Sequence, residues 1–360
     1  MKTVMIGMTI NESAVSAYFS TMIEEFKKKS YRVIVIADNN RDELINRDTN
    51  PIILTWPSKR PTKLQDIKFF MKEVKYYKPD IIIGNFGSVS IMNVVGCLLG
   101  VPTRLAWAHT VSTAIKNASM LSKVRKRLVY KCATNIIANS NAMKTDLIKY
   151  THINPEKIEV FTNAIELKKR DELSIKRDEN LFVYVGGLYK NKGIDVLIDA
   201  FGIVQQKFPE KRLKIVGPGK AFDYFKAYVH NKGLDDVISL IGGVHRDNVY
   251  KEYASAMCCV VPSRHEAFGY VVVEAMAERT VVIGSDIEGI SEIIDDGLNG
   301  LLFNPQDRNE LAEKMEFVIR NKDKRDVYIE NGYKTLVEKF NVNRIAESFV
   351  EFCDKKIEKE

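Results

Sequence analysis

Short apolar runs of strand length alternate along this chain with longer stretches in which apolar residues recur every three or four positions. The first run, Thr3–Met8, predicts a strand, residues 13–29 a helix, and Arg32–Ala37 a second strand. Further on the pattern predicts a strand over Ile81–Gly84, a helix near Val89–Leu99, a strand over Thr103–Ala106, a helix near Ser122–Cys132 and a strand over Asn135–Ala138. Glu166–Asn180 is charged and poorly periodic, and reads as a linker. A second series follows, with strands over Leu181–Val185, Leu213–Val216, Val237–Leu240, Cys258–Val261 and Val281–Ile283. Between them lie helices over Asp195–Lys207, Ala221–Lys232, Val249–Ala256 and Phe268–Glu278, and a last helix is predicted over Val342–Lys356. Continuous apolar strands separated by helices are the mark of parallel sheets covered on both faces. The fold class is therefore α/β, with two Rossmann-like doubly wound domains, a cleft between them, and ligands expected at the carboxyl ends of the strands.

The 360 residues exceed what one core accommodates, which supports the same division. The first domain is expected over residues 1–165 plus a C-terminal helix over 341–360, and the second over 175–340. One stretch, Ile81–Val101, has the length of a membrane helix and no charge. Its polar residues Asn85, Ser88, Ser90 and Asn93 would need partners in lipid, so a buried strand, turn and helix are expected instead. The net charge of +7 is uneven, since residues 1–172 are basic and the remainder slightly acidic. A basic first half suggests an anionic partner. Five cysteines without metal-ligand spacing, and no leader-like start, fit a reducing cytoplasm.

Chemistry gathers at strand ends in the second series. Val185 is followed by Gly186-Gly187 and then Lys192-Gly193, Val216 by Gly217-Pro218-Gly219, and Val261 by Pro262-Ser263-Arg264-His265-Glu266. The strand over Val281–Ile283 is followed by Glu288-Gly289-Ile290-Ser291-Glu292. Adjacent glycines let backbone N–H groups approach an anion, and a lysine adds a point charge. Neither a Walker A loop nor Gly-x-Gly-x-x-Gly is present. Glu266 and Glu274 bracket the run Glu-Ala-Phe-Gly-Tyr-Val-Val-Val-Glu. A carboxylate among Val271, Val272, Val273, Ala275 and Met276 is costly to bury without a hydrogen-bonding partner. Hydroxyls of a sugar or ribose would serve. So would a helix N-terminus for Glu266 and a core Arg or Lys for Glu274.

These turns, in this order, resemble the donor-binding domain of retaining glycosyltransferases of family 4, which have the GT-B fold. The resemblance rests on Val185-Gly186-Gly187-Leu188 with Lys192-Gly193, Ile215-Val216-Gly217-x-Gly219, and Pro262-Ser263-x-x-Glu266-x-Phe268-Gly269 with Glu274-Ala275-Met276-Ala277. It continues through Gly289-x-x-Glu292 to Asp296-Gly297-x-x-Gly300, and is looser in the first half through Pro102…His109, Ala138-Asn139-Ser140 and Lys157-Ile158…Asn163. It implies transfer of a sugar from a nucleoside-diphosphate sugar, with UDP the expected nucleotide, to a saccharide or lipid-linked saccharide of a surface polysaccharide or glycoconjugate. Catalytic roles would fall to Glu266, Lys192 and His109. Donor binding would fall to Gly186, Gly187, Gly217, Gly219, Arg264, Phe268, Gly269 and Glu274. No metal and no cofactor are implied, Lys192 and helix N-termini taking the part of Mg²⁺.

The chain departs from the family pattern at two places. Gly187 stands where related sequences often carry Arg, leaving Lys192 alone unless Arg264 or Arg246 substitutes. The first loop, Thr9-Ile10-Asn11-Glu12-Ser13-Ala14, lacks the usual glycines. A non-catalytic sugar-nucleotide-binding protein and a sugar-nucleotide epimerase are the rival readings. A nicotinamide-dependent oxidoreductase is disfavoured by the absent glycine fingerprint. The basic helix over residues 122–132 interleaves Lys123, Arg125, Lys126, Arg127 and Lys131 with Val124, Leu128, Val129 and Tyr130. That pattern fits an anionic membrane surface or a pyrophosphate-bearing acceptor, and equally a solvated face. The expected location is cytoplasmic, peripheral on the inner face of the membrane if that helix docks. Nucleic acid is not an expected partner.

Overall fold

Thirteen strands, all paired in parallel, form two sheets in this computed structural model, which describes residues 1–10, 14–38, 49–59, 61–109, 119–167, 175–266 and 268–358. The chain divides into one unit of Met1–Glu166 with Asn341–Glu360 and another of Leu167–Phe340.

The sheet of the first unit holds β1 (Thr3–Met8), β2 (Arg32–Ala37), β3 (Ile52–Thr55), β4 (Ile81–Gly84), β5 (Thr103–Ala108), β6 (Asn135–Ala138) and β7 (Ile158–Val160), ordered β3-β2-β1-β4-β5-β6-β7. Alternation along β1 divides its neighbours. Val4 and Ile6 enter a core with Tyr18, Phe19, Phe26 and Trp107, while Met5 enters one with Ile34, Trp56 and Phe70. The helices are α1 (Ala14–Lys28), α2 (Leu64–Tyr77), α3 (Val89–Leu98), α4 (Met120–Cys132) and α5 (Asn141–Thr151). The C-terminal helix, here α13 (Val342–Ile357), belongs to this unit, with Phe349 5.1 Å from Trp107 and 6.3 Å from Phe26 between ring centres. Asp354 fixes its far end by accepting from Lys2 Nζ at 2.7 Å and Tyr31 Oη at 2.6 Å.

The second sheet holds β8 (Asp178–Val185), β9 (Arg212–Val216), β10 (Ile238–Gly242), β11 (Ala256–Val261), β12 (Val281–Ser285) and β13 (Leu301–Phe303), ordered β10-β9-β8-β11-β12-β13. Its helices are α6 (Ile194–Lys207), α7 (Phe222–Asn231), α8 (Arg246–Ser255), α9 (Tyr270–Ala277), α10 (Glu288–Ser291), α11 (Arg308–Arg320) and α12 (Lys322–Lys339). Phe182, Leu197, Phe201, Ile215, Val260 and Met315 are among its buried core.

Several sequence expectations need correction. The linker ends sooner than expected, because Asp178–Asn180 already belong to β8 and Asp178 pairs with Ala256. Ala256 starts β11 instead of ending a helix, being buried between strands. Elements without an expectation were β3, β7 and β13, each four residues or fewer, and helices α2, α5, α10, α11 and α12. In α2 the start is set by a side chain with little periodic signal: buried Asp66 accepts from the backbone N–H groups of Ser58, Thr62 and Lys63 at 2.8–3.0 Å. The apolar stretch Ile81–Val101 is β4, a 3₁₀ turn over Phe86–Ser88 and α3, and no helix among the described residues is long and apolar enough to cross a membrane. The first loop, residues 11–13, lies outside the described residues.

Each sheet has one point where the strand order reverses: between β1 and β4 in the first unit, and between β8 and β11 in the second. The chain leaving such neighbouring strands passes to opposite faces of the sheet, which makes the rim at their carboxyl ends the usual place for a ligand. In the second unit the glycine turns line this rim. Gly217 has φ 146°, donates to Gly242 O at 2.7 Å, and lies so close to the preceding loop that a Cβ would sit 1.9 Å from Gly186 O. Gly217→Ala is therefore expected to cost about 3 kcal/mol. In a unit of this size that lowers the melting midpoint by roughly 6–12 °C, measurable by calorimetry.

Candidate functional site

Lys192 and Glu266 meet at the reversal point of the second sheet. Lys192 ends a 3₁₀ turn over Lys190–Lys192 after β8, and Glu266 lies in the loop after β11. Lys192 Nζ donates to Glu266 Oε2 at 2.6 Å, and Ser263 Oγ donates to the same oxygen at 3.2 Å. Each side chain of the pair keeps about a quarter of its surface exposed, 25% for Lys192 and 22% for Glu266. The two loops interlock through their backbones. Gly193, with φ 67°, packs where a Cβ would be 1.9 Å from Pro262 O, and Arg264 N donates to Asn191 O at 3.0 Å.

Arg264 closes the same junction from the other side. Its guanidinium binds Asp195, in the first turn of α6, through two bonds of 3.0 and 2.8 Å, and donates to Lys190 O at 2.5 Å. This fork holds the Lys190–Lys192 turn against the loop after β11. The structure thus gives Arg264 an intramolecular carboxylate partner. Arg246 starts α8, and its side chain lies outside the described residues.

The glycine turns are packed on each other. Gly186 N donates to Val216 O at 2.9 Å, Leu188 N donates to Pro218 O at 2.8 Å, and a Cβ on Gly219 would meet Leu188 backbone at 2.3 Å. Close approach of these loops already accounts for Gly217 and Gly219. Tyr184 Oη braces the first turn by donating to Gly187 O at 3.1 Å, and burial with the nearby Glu266 charge pushes its phenol well above the ordinary range. A side chain on Gly187 would collide with the Tyr189 ring at 2.6 Å. The ring thus fills the space into which any side chain at this position would start.

Gly269, with φ 87°, caps α9, and Phe268 is buried against Tyr270 and Phe340 at 5.1 and 5.6 Å between ring centres, leaving the backbone of these residues as the part able to meet a ligand. Glu274 is half-buried on α9, flanked by buried Val273 and Ala275. It accepts from the hydroxyl of Tyr253 on α8 at 3.0 Å. Burial, then the Glu274 carboxylate, drives the Tyr253 phenol well above its ordinary range, so this hydroxyl stays a donor.

In the first unit His109 follows β5 directly. Its ring is nearly parallel to those of Phe86, 4.2 Å away at 11°, and Trp107, 6.1 Å away at 10°, with Phe19 edge-on at 6.3 Å. Its Nε2 is 3.1 Å from Asn85 Oδ1. Burial pushes the imidazole down to about 3, so it is neutral at physiological pH.

Helix α4 shows more than a basic face. Met120, Leu121, Val124 and Leu128 are exposed by 79%, 80%, 47% and 58%, beside exposed Arg125, Arg127 and Lys131. Val129 and Tyr130 are buried, and Lys126 is part-buried with its ammonium pKa lowered by that burial.

Sequence reasoning did not single out Ser263 as a partner, Asp195, Tyr253 or Asn85. Asp195 is a first-turn acid of a helix, an ordinary placement, and Asn85 stood out only as a polar break in an apolar stretch. Among the described residues no group of three or more His, Cys, Asp or Glu side chains is arranged to hold a metal ion.

Comparison with known proteins draws these observations together. Residues 166–335 match the family model for glycosyl transferases group 1, and residues 15–169 that for glycosyltransferase family 4. An uncharacterized glycosyltransferase of Methanocaldococcus jannaschii is 31% identical over 69% of this chain and 68% of its own length. The capsular polysaccharide biosynthesis glycosyltransferase CapM of Staphylococcus aureus is 24% identical over 90% of each chain. Other relatives match over less: the chain spans 58% of a second Methanocaldococcus jannaschii glycosyltransferase and 59% of an inositol 3-phosphate glycosyltransferase of Corynebacterium kroppenstedtii. Among solved structures, Anabaena HepE in complex with UDP superposes with a TM-score of 0.80 at 19% identity, covering 99% of this chain and 100% of that one. The fold is that of the GT-B glycosyltransferases.

Removing the Tyr253 hydroxyl leaves a half-buried carboxylate short of one donor. Tyr253→Phe is expected to cost about 1 kcal/mol, a fall of roughly 2–4 °C in the melting midpoint of the second unit by differential scanning calorimetry.

Proposed function

This chain belongs to glycosyltransferase family 4, and we propose that it moves a sugar from a nucleoside-diphosphate sugar to a saccharide or lipid-linked saccharide, with retention at the anomeric carbon. The Lys192–Glu266 pair at the strand-order reversal is the observation that carries this reading. A UDP-sugar is the proposed donor, in keeping with the HepE structures holding UDP and UDP-glucose. Surface polysaccharide or glycoconjugate synthesis is the proposed setting, in keeping with CapM.

In this reading the ammonium of Lys192 turns from Glu266 to the diphosphate and stabilises the charge that grows as the glycosidic bond breaks. It takes the part a divalent metal plays elsewhere, so transfer proceeds in EDTA. Glu266, with the backbone N–H groups of Phe268 and Gly269, holds hydroxyls of the sugar, Glu274 the ribose hydroxyls, and His109 a further sugar hydroxyl. The Gly186-Gly187 turn lies along the diphosphate and the Gly217–Gly219 turn near the base. The acceptor oxygen attacks from the face the phosphate leaves: one C–O bond forms as the other breaks, and the acceptor's proton passes to the departing phosphate oxygen. Product anomeric configuration by NMR tests retention.

The absence of a cation at Gly187 is the one observation that favours a sugar-nucleotide-binding protein instead. Incubating the protein with a panel of UDP-sugars, with and without saccharide acceptors, and following release of nucleoside diphosphate decides between them. Lys192→Ala is expected to lower turnover by roughly 10²–10³-fold, with Glu266→Gln also impaired. A wild type that binds donor and raises its melting midpoint but releases no nucleotide would overturn the transferase reading.

The proposed acceptor side includes an anionic membrane surface met by α4, whose exposed Leu121, Val124 and Leu128 stand beside a cationic face without an acidic residue. Each basic residue near such a surface contributes about 1 kcal/mol. Changing Lys123, Arg125, Lys126 and Arg127 together to Gln should weaken co-sedimentation with phosphatidylglycerol vesicles on the order of a thousandfold. Equal sedimentation of variant and wild type would exclude docking by this helix.

A further inference from the structure

The reversal point of the first sheet, between β1 and β4, is marked by Asn85, directly after β4. This residue is 1% exposed and its backbone is clamped: Ser88 Oγ donates to Asn85 O at 2.6 Å, Ser88 N to the same oxygen at 3.0 Å, and Asn85 N to Ser88 Oγ at 3.1 Å. Next to it, Phe86 holds φ 47°, a left-handed conformation rare for an aromatic residue. That conformation accompanies the flat placement of its ring on His109. Three groups therefore border one imidazole: the near-parallel rings of Phe86 and Trp107, and the Asn85 amide oxygen at Nε2.

We propose that Asn85 is a positioning residue for His109, holding it as the Nε2–H tautomer with the Nδ1 lone pair presented to a sugar hydroxyl. The inference deepens the transferase reading and rests on it for the identity of the ligand. An amide oxygen accepts only, so Nε2 must carry the ring proton and Nδ1 is left bare. No partner of Nδ1 occurs among the described residues. The neutral ring accepts a hydrogen bond at that atom and offers no proton to a phosphate or carboxylate. Asn85 Nδ2 is itself buried and unpartnered, a second open polar group beside the ring. A hydroxyl, donor and acceptor at once, is the substituent that satisfies either atom, whereas a carboxylate is repelled by the lone pair. His109 thereby selects a neutral, hydroxylated part of the sugar and takes no part in proton transfer.

The groups that face the ring among the described residues, Asn85, Phe86, Trp107 and Phe19, are uncharged. Asn85→Asp introduces a charge where none exists while retaining an acceptor oxygen at the same place. It should raise the His109 pKa, since a carboxylate favours the imidazolium. Below that raised pKa Nδ1 is protonated and cannot accept.

The experiment uses the full chain labelled with ¹⁵N-histidine, His109 being assigned by His109→Gln. Long-range ¹H–¹⁵N spectra should show the Nε2–H tautomer in wild type, unchanged down to about pH 5, and a mixed or inverted tautomer in Asn85→Ala. Transfer from a UDP-sugar should fall about tenfold in kcat/KM in Asn85→Ala. Asn85→Asp should be most active at high pH and lose activity as pH falls, a dependence that wild type lacks. An Nδ1–H tautomer in wild type overturns the proposal, as does an Asn85→Asp variant whose pH profile and His109 titration equal those of wild type. If wild type shows the expected tautomer, altered in Asn85→Ala, yet turns over no donor, the positioning stands and the transferase reading falls.

Discussion

Parallel strands all end on one rim, and only where the strand order reverses do two adjacent strands hand the chain on to opposite faces of the sheet. That constraint governs this molecule, because each sheet has one such place and each is occupied by chemistry. In the second unit the loops after β8 and β11 are drawn together by Gly193 against Pro262, Arg264 against Asp195, and Lys192 against Glu266. In the first unit the corresponding place holds Asn85. Without the topology these residues would be scattered polar positions in loops.

Much of this was legible in the chain because buried parallel strands are written as apolar runs. The strands that border the reversal points, β1, β4, β8 and β11, are such runs, and the ends of β8 and β11 located Gly186, Lys192 and Glu266. Illegible features had local causes. Strands of three or four residues, such as β7 and β13, are too short to show a period. The start of α2 depends on Asp66 receiving backbone donors from residues up to eight positions away, which spacing does not reveal. The side chains that complete the sites were hidden for a related reason. Tyr253 reaches Glu274 from another helix, Asp195 reaches Arg264 across 69 positions, and Asn85 reaches His109 from a neighbouring strand. Patterning announces burial, whereas pairing between distant elements becomes visible only when the chain is folded.

The structure also separates two reasons for a glycine. Gly217 and Gly219 are required by loops that touch each other, so their presence says nothing by itself about a ligand. Gly187 differs: it has an ordinary φ, and what crowds it is the movable ring of Tyr189. Replacing it is opposed by a side chain able to turn aside and not by backbone.

The proposed function has Lys192 meet a diphosphate, whereas in the structure its ammonium holds a carboxylate. With about a quarter of each side chain in water, such a pair contributes only on the order of 1 kcal/mol. Giving it up for a ligand with at least two negative charges, as proposed, would therefore cost little, while Arg264 and Gly193 hold the backbone from outside the pair. In that proposal the released carboxylate keeps the Ser263 hydroxyl as donor and is open to hydroxyls of the sugar. A deeply buried pair would have resisted the exchange, since breaking it strands an uncompensated charge. Partial exposure makes this single Lys–Glu contact cheap to open even as it ties the loops after β8 and β11 together.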